Sequence, residues 1–184
     1  MKSGIRILAV DDSRFVKGDS SVLVVGVVGR EGVIEGVLSC RVAADGDDST
    51  AKIMRMIKSS RFIEQVRLIA INGTTVAGLN VVDIAKIHSA LSIPIIAVTR
   101  KRPHPAMLKR SIMSSQAAGK AAKAAILGNI SKNAEMCRVG GFYVQGIGIE
   151  KDLISRYIQN SVSLLRLAHI VASGVSGGES RGRM

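Results

Sequence analysis

Ile5-Arg6-Ile7-Leu8-Ala9-Val10-Asp11-Asp12-Ser13-Arg14-Phe15 is a run of aliphatic residues that ends abruptly on two aspartates. A strand this apolar belongs inside a sheet, where an unpaired carboxylate is costly to bury. A turn requires no two adjacent acids beside a buried strand. At the strand's open end the pair can instead hold a divalent cation through hard oxygen ligands. A cation held there activates water and steadies a phosphoryl group.

Two more β-rich segments follow, at 21–28 and 33–42, joined by the hairpin turn Gly29-Arg30-Glu31-Gly32. With 6–10 they predict a three-stranded antiparallel meander. Asp45-Gly46-Asp47-Asp48-Ser49-Thr50 breaks the pattern. Asp47, Asp48 and Ser49 suit a helix start, and 51–58 carries Ile53, Met54 and Ile57 at helical spacing. Strands then alternate with helices: a strand at 67–71, a helix at 81–91 with Asn80 and Asp83 near its start, and an almost wholly apolar strand at 93–98. Pro103-His104-Pro105 opens a helix through 111, and 116–125 reads as helix or mobile arm. A strand at 142–145 and a long helix at 150–172 complete the chain, with a Gly-, Ser- and Arg-rich tail expected to be flexible from about 174. This order predicts an α/β protein with a mixed central sheet, helices on both faces, and a single domain over 1–184. The ribonuclease H-like fold has this order of elements.

The 184 residues carry 26 Lys and Arg against 14 Asp and Glu, a formal charge of +12. Solubility alone would account for some of that charge. Attraction to phosphates accounts for more, and dispersed basic residues without a basic amphipathic helix favour nucleic acid over a membrane surface. Aromatics make up only 3%, so stacking of bases on aromatic platforms is not the expected binding mode. Cys40 and Cys137 show neither CxxC nor zinc spacing and are expected as thiols in a reducing compartment. No signal-peptide core or membrane-length apolar run is present, which leads to the expectation of a cytoplasmic protein.

Chemistry in α/β sheets gathers in the loops beyond the strand ends. Asp11, Asp12, Asp45 and Asn72 all stand at such ends, and two carboxylates with an amide oxygen could coordinate Mg²⁺. For Asp45 an ordinary turn role is equally open, and for Asp47 and Asp48 helix capping is the better reading. Gly73-Thr74-Thr75-Val76-Ala77-Gly78-Leu79-Asn80 would let backbone N–H groups approach a phosphate, although it is no P-loop. Arg100-Lys101-Arg102 is either a phosphate clamp or a solvated loop. Lys109, Arg110, Lys120 and Lys123 extend a basic surface or are ordinary helix-surface charges. Arg166, His169 and Ser173 form a polar line along the last helix, where His169 is a hydrogen-bonded packing residue or an acid–base group.

Gly4 through Asp12, Asp45 through Thr50, Asn72-Gly73 with Gly78 through Asp83, Ile93 through Val98, Leu165 through His169 and the closing Gly-Glu-Ser-Arg-Gly-Arg together resemble the archaeal endonuclease dU family, a distant relation of endonuclease V. The resemblance covers residues 4–102 and 140–183, with a poor match over 103–139. It implies a ribonuclease H-like fold and a metal-dependent endonuclease, with Mg²⁺ or Mn²⁺, acting on DNA or RNA that contains deaminated bases such as uracil or hypoxanthine. By position it implies catalytic roles for Asp11, Asp45 and His169, with Asp11 and Asp45 holding the metal and a basic contact at Arg100 or Lys101; Asp12 and Asn72 are expected as auxiliary metal ligands. Nucleic-acid contacts would fall to Arg100, Lys101, Arg102, Gly73, Gly78 and Asn80. Two departures stand out. Asn72 occupies the place of an aspartate ligand, and Gly36-Val37-Leu38-Ser39-Cys40 lacks the aromatic and proline wedge with which endonuclease V parts a duplex. A non-catalytic nucleic-acid-binding protein with the nuclease fold is therefore the competing expectation, and an enzyme on phosphorylated small molecules a third.

Overall fold

The computed structural model describes residues 4–16 and 18–180. The three-stranded start is β1(Arg6–Asp12), β2(Ser21–Arg30) and β3(Val33–Ala43), followed by α1(Ser49–Lys58), β4(Val66–Asn72), a two-residue ribbon β5(Thr75–Val76) and β6(Asn80–Val81), and α2(Ile84–Leu91). Then come β7(Ile95–Thr99), α3(Pro105–Ser114), α4(Lys120–Asn133), β8(Glu135–Val139), β9(Phe142–Ile147) and α5(Lys151–Gly177).

The large sheet has the order β3-β2-β1-β4-β7-β9-β8. β1 and β3 run antiparallel to β2, and β4 and β7 lie parallel to β1 and to each other. A meander laid beside parallel strands in this order is the ribonuclease H-like arrangement.

The sequence pattern follows from the layers. β1, β4 and β7 lie between two helical layers and are mostly aliphatic. On one face Leu8, Val10, Ile69 and Ile71 pack with Ile53 and Ile57 of α1 and Ile84 and Ile87 of α2. On the other face Ile7, Ala9, Leu68 and Ala70 meet Ile154, Ile158, Leu165, Ala168 and Ala172, the buried stripe of α5. β3 lies at the edge and is mostly half-exposed or exposed, with Glu35 paired to Arg6 and Arg30. Such charges blunt an otherwise open edge.

Several boundaries differ from the sequence reading. β1 continues through Asp12, so both aspartates belong to the end of the strand itself. Asn80 and Val81 lie in the small ribbon, and α2 begins later, capped by Asp83, whose carboxylate accepts the Lys86 N–H at 3.0 Å. Asp48 occupies the N-cap of α1, but its carboxylate turns back to the Ala43 N–H and to Lys52 instead of capping the helix. The 116–125 segment resolves into a turn at 118–119 and, from Lys120, the start of α4, and β8 is an edge strand the pattern did not reveal. α5 carries on through Gly177, past the point where the flexible tail was expected; residues 181–184, with the last part of the Gly-Glu-Ser-Arg-Gly-Arg motif, lie outside the described residues. No helix among the described residues is long and apolar enough to cross a membrane.

Candidate active site

Parallel pairing sets β1 and β4 in register through Val10 and Ile71, which places Asp11 beside Asn72 at their carboxyl ends. Asp11 is only 1% exposed. Its two carboxylate oxygens accept from the Asn72 Nδ2 amide at 3.2 and 3.1 Å, and Oδ1 also accepts the Asp12 N–H at 2.9 Å. His169 reaches down from α5, with Nδ1 at 3.3 Å from Asp11 Oδ2 and Nε2 at 3.4 Å from Ser173 Oγ. The Asp11 carboxylate raises the His169 imidazole above its ordinary value by its hydrogen bond and its charge, against the opposing effect of burial. The polar line read on the last helix is thus an Asp11–His169–Ser173 chain of contacts.

Asp12 sits on the opposite side of the strand end, where Oδ2 accepts the Ala77 N–H at 2.6 Å. Burial, with the neighbouring Asp11 charge, pushes its carboxyl up from 3.8 to about 6. Both the Asp12 and His169 shifts mean that the folded protein binds a proton more tightly than the unfolded chain does. Stability accordingly falls as pH rises, from about 4 to 6 through Asp12 and above 6.5 through His169. In EDTA, Asp12→Asn is expected to leave thermal stability unchanged at pH 4 and to raise it at pH 8, by up to about 2–3 kcal/mol for a shift of this size. Melting curves for the two proteins across that range check it; equal gaps at pH 4 and pH 8 would contradict the shift.

Asp45 is brought to the same region along another path. Its backbone adopts a left-handed conformation, φ +51°. Its N–H donates to the Ala77 carbonyl at 2.9 Å, and its Oδ1 accepts the Leu79 N–H at 2.8 Å. Asp12 and Asp45 therefore grip the 77–79 loop from two sides. No hydrogen bond or ion pair joins Asp45 to Asp11 among the described residues, and there no three His, Cys, Asp or Glu side chains form a ready ligand set.

Of the other residues singled out, Gly73 (φ +74°) and Gly78 (φ +83°) take backbone conformations that favour glycine. Arg100, Lys101 and Arg102 are exposed, and Arg100 and Lys101 line a hollow of about 310 Å³ together with Asn72 and Phe142, which sets positive charge directly beside the Asp11 cluster. Asn80 plays a different part. Fully buried, its amide accepts from the Ser49 N–H and donates to the Ala43 carbonyl and to Asp48. With these bonds it ties α1 to the ribbon and is withdrawn from nucleic acid.

Lys123 is corrected more sharply. It is neither part of a basic surface nor a solvated charge, but a lysine 1% exposed, whose Nζ donates to the Asp45 carbonyl at 2.8 Å. The Ala118 N–H shares that carbonyl at 3.2 Å. Burial lowers the amine, opposed by the nearby Asp45 and Asp47 charges. No sequence signal separates this lysine from its exposed neighbours, because α4 lacks a clear apolar face. Lys123→Ala leaves a void and removes a donor, at an expected cost of about 2–4 kcal/mol. Lys123→Met, which keeps the stem, is expected to cost less than half as much; urea denaturation of both variants measures the difference.

Asp11 and Asp12 supply two adjacent carboxylates, one with its proton affinity raised by burial and further by the other's charge, and a divalent cation relieves both. Asn72 can offer its amide oxygen in place of the nitrogen now turned to Asp11, a half-rotation of the amide that leaves its position unchanged. This donor set fits Mg²⁺, which keeps several waters and needs few protein ligands. Asp45 can join only through Oδ2 or by giving up the Leu79 N–H.

A sequence model of the family described as Endonuclease dU matches residues 3–176, including the 103–139 stretch that carries α3 and α4. A UPF0215 protein of Methanothermobacter thermautotrophicus is 38% identical over 99% of this chain and 93% of its own length. The crystal structure of a protein of unknown function from Archaeoglobus fulgidus superposes with a TM-score of 0.83, at 28% identity over 93% of this chain and 98% of that one. Human endonuclease V is a slighter structural likeness, TM-score 0.49 and 14% identity over 83% of this chain and 74% of that one, a level that speaks to neither substrate nor chemistry. The chain belongs to the endonuclease dU family.

Proposed function

We propose that this protein is a metal-dependent endonuclease acting on DNA or RNA that contains a deaminated base, uracil or hypoxanthine. The observation that carries the reading is the buried Asp11, adjacent to Asp12 and held by Asn72 and His169, at a sheet end flanked by Arg100 and Lys101 in a chain of net charge +12.

In this reading Asp11 and Asp12, with the Asn72 amide oxygen, hold Mg²⁺ or Mn²⁺. When bound, such a cation supplies an activated water and neutralises charge on the phosphodiester. His169 fixes the Asp11 carboxylate through Nδ1, and that carboxylate favours the protonated imidazole, which when charged offsets the acidic pair. Asp45 keeps the 77–79 loop in place beside Asp12, and its own ligation is tested by Asp45→Asn. Arg100, Lys101 and Arg102 draw the polyanionic backbone towards the site by charge, which makes affinity fall with salt.

The test is incubation of labelled oligonucleotides bearing one uracil or one hypoxanthine, with and without Mg²⁺ or Mn²⁺, for wild type and Asp11→Asn. Cation-dependent cleavage near the modified base, lost in the variant, supports the reading; cleavage independent of the cation, or unchanged in the variant, removes it. One observation favours the second reading, a nucleic-acid-binding protein without catalysis: Asn72 now points a donor at Asp11 where an acidic ligand would add charge. Calorimetric titration with Mn²⁺ that shows no binding favours that reading.

A further inference from the structure

Gln145 lies on β9, opposite Ala97 of β7 and Met136 of β8, and its side chain belongs to the face away from α5. It is 5% exposed, and its amide makes no hydrogen bond among the described residues. The amide is nevertheless not sealed from solvent: it opens onto the space it lines, where a bound group could replace water as its partner. The side chain lines a cavity of about 170 Å³ at the carboxyl ends of β4 and β7, walled by the apolar Leu108, Leu127 and Ile130, with Gly73 and Thr99 among its other lining residues. Gly73 follows Asn72 directly, so the cavity adjoins the Asp11 cluster.

Size and chemistry narrow the occupant. A cavity of about 150 Å³ accepts one benzene ring, whereas pockets for drug-sized ligands run from about 300 Å³ upward. The space here suits one six-membered ring and not a fused bicycle. The lining sets Leu108, Leu127 and Ile130 beside Thr74, Thr99 and Ser131, a mixture suited to a flat ring with polar edges, and a primary amide presents one acceptor and one donor side by side, the complement of a ring –NH–CO– edge.

We propose that this cavity receives a single pyrimidine ring extruded from a nucleic-acid strand, with Gln145 pairing through both amide atoms to its –NH–CO– edge. The inference deepens the function proposed above and rests on it for the strand that delivers the base. It makes Gln145 the specificity-determining residue and selects uracil over hypoxanthine, because the purine is too large. Gly73, in a left-handed backbone conformation, lines the cavity on the side that adjoins the Asp11 cluster.

The experiment measures binding by fluorescence anisotropy in EDTA, where no cleavage intervenes. Single-stranded oligonucleotides carry one uracil, one hypoxanthine or one tetrahydrofuran abasic residue in the same sequence. Wild type is expected to prefer uracil to the abasic residue by on the order of ten- to a hundredfold, the contribution of one bidentate base contact. Hypoxanthine is expected to bind no better than the abasic strand. Gln145→Met, of similar length and volume, should bring the uracil preference close to one while leaving abasic affinity unchanged. Leu127→Phe, which narrows the cavity without touching Gln145, should do the same. No uracil preference in wild type, a preference retained in both variants, or hypoxanthine held as tightly as uracil would overturn the proposal. Metal-dependent cleavage with no base preference overturns this inference alone. A base preference without any cleavage leaves the cavity's role standing and removes the nuclease.

Discussion

Asp11→Asn is expected to abolish cleavage while leaving the fold and the affinity for nucleic acid in place. The substitution is nearly isosteric, and the new amide oxygen still accepts from Asn72 Nδ2 at a site where that donor lies 3.1–3.2 Å away. What disappears is charge. Asp12 loses the neighbour that helps raise its carboxyl, and His169 loses the partner that holds its proton. Mutation of an outer-shell partner of a metal ligand costs about 10–100-fold; removing charge from a ligand itself should exceed this, giving a loss of about 10³-fold or more in single-turnover cleavage. Oligonucleotide affinity, carried by dispersed basic residues, should change less than about threefold at fixed salt. An NMR titration adds a readout that a misfolded variant would not give: the His169 midpoint moves down in Asp11→Asn, because the carboxylate that raises it is gone. A variant with full cleavage would mean that the acidic pair is only structural.

The sheet was legible because its causes are local. An apolar run ending in Asp11-Asp12, a turn at 29–32 and alternating apolar segments leave few ways to arrange the strands, and the observed sheet is the expected mixed one beginning with an antiparallel meander, with β8 added at its edge. Asp11, Asn72 and His169 were also legible as a group, since each stands at a strand end or on the polar line of an otherwise apolar helix. Asn80 and Lys123 were misread for one reason: their roles come from long-range pairing that no local pattern records. Asn80 bonds residues 31 to 37 positions away, and Lys123 reaches back 78 positions to Asp45. A polar residue in a Gly-rich loop and a lysine on an Ala-rich helix have the same local sequence whether they meet solvent, phosphate or protein. Gln145 was hidden similarly, as one polar residue in a short strand whose burial depends on α3 and α4, the segment with the least pattern of its own. Asp45 remained ambiguous in the sequence because turn and ligand both favour an acid beside glycine; in the fold its carboxylate first secures a loop.

Gly78→Ala is expected to be strongly destabilising and to damage the site as well. Gly78 has φ +83°, and a Cβ there would overlap the Asp45 Oδ1 and press on the Phe15 ring at 3.2 Å. The left-handed backbone alone costs an L-residue about 1–2 kcal/mol. Displacing Asp45 also breaks its bond to the Leu79 N–H, worth about 1–3 kcal/mol when a buried group is left unpaired. The sum is about 2–5 kcal/mol. Gly141→Ala supplies the control, because Gly141 has nearly the same φ, +84°, and open space where the Cβ would go. Urea denaturation of both variants should show Gly78→Ala the costlier by about 1–3 kcal/mol, the part owed to Asp45. Equal costs would show that the Asp45 carboxylate does not rest against the 77–79 loop. Because Asp12 leans on the same loop through Ala77, the damage should reach function too: cleavage in Gly78→Ala is expected to fall even below the midpoint of unfolding, whereas Gly141→Ala, in the β8–β9 turn, should cleave at the wild-type rate.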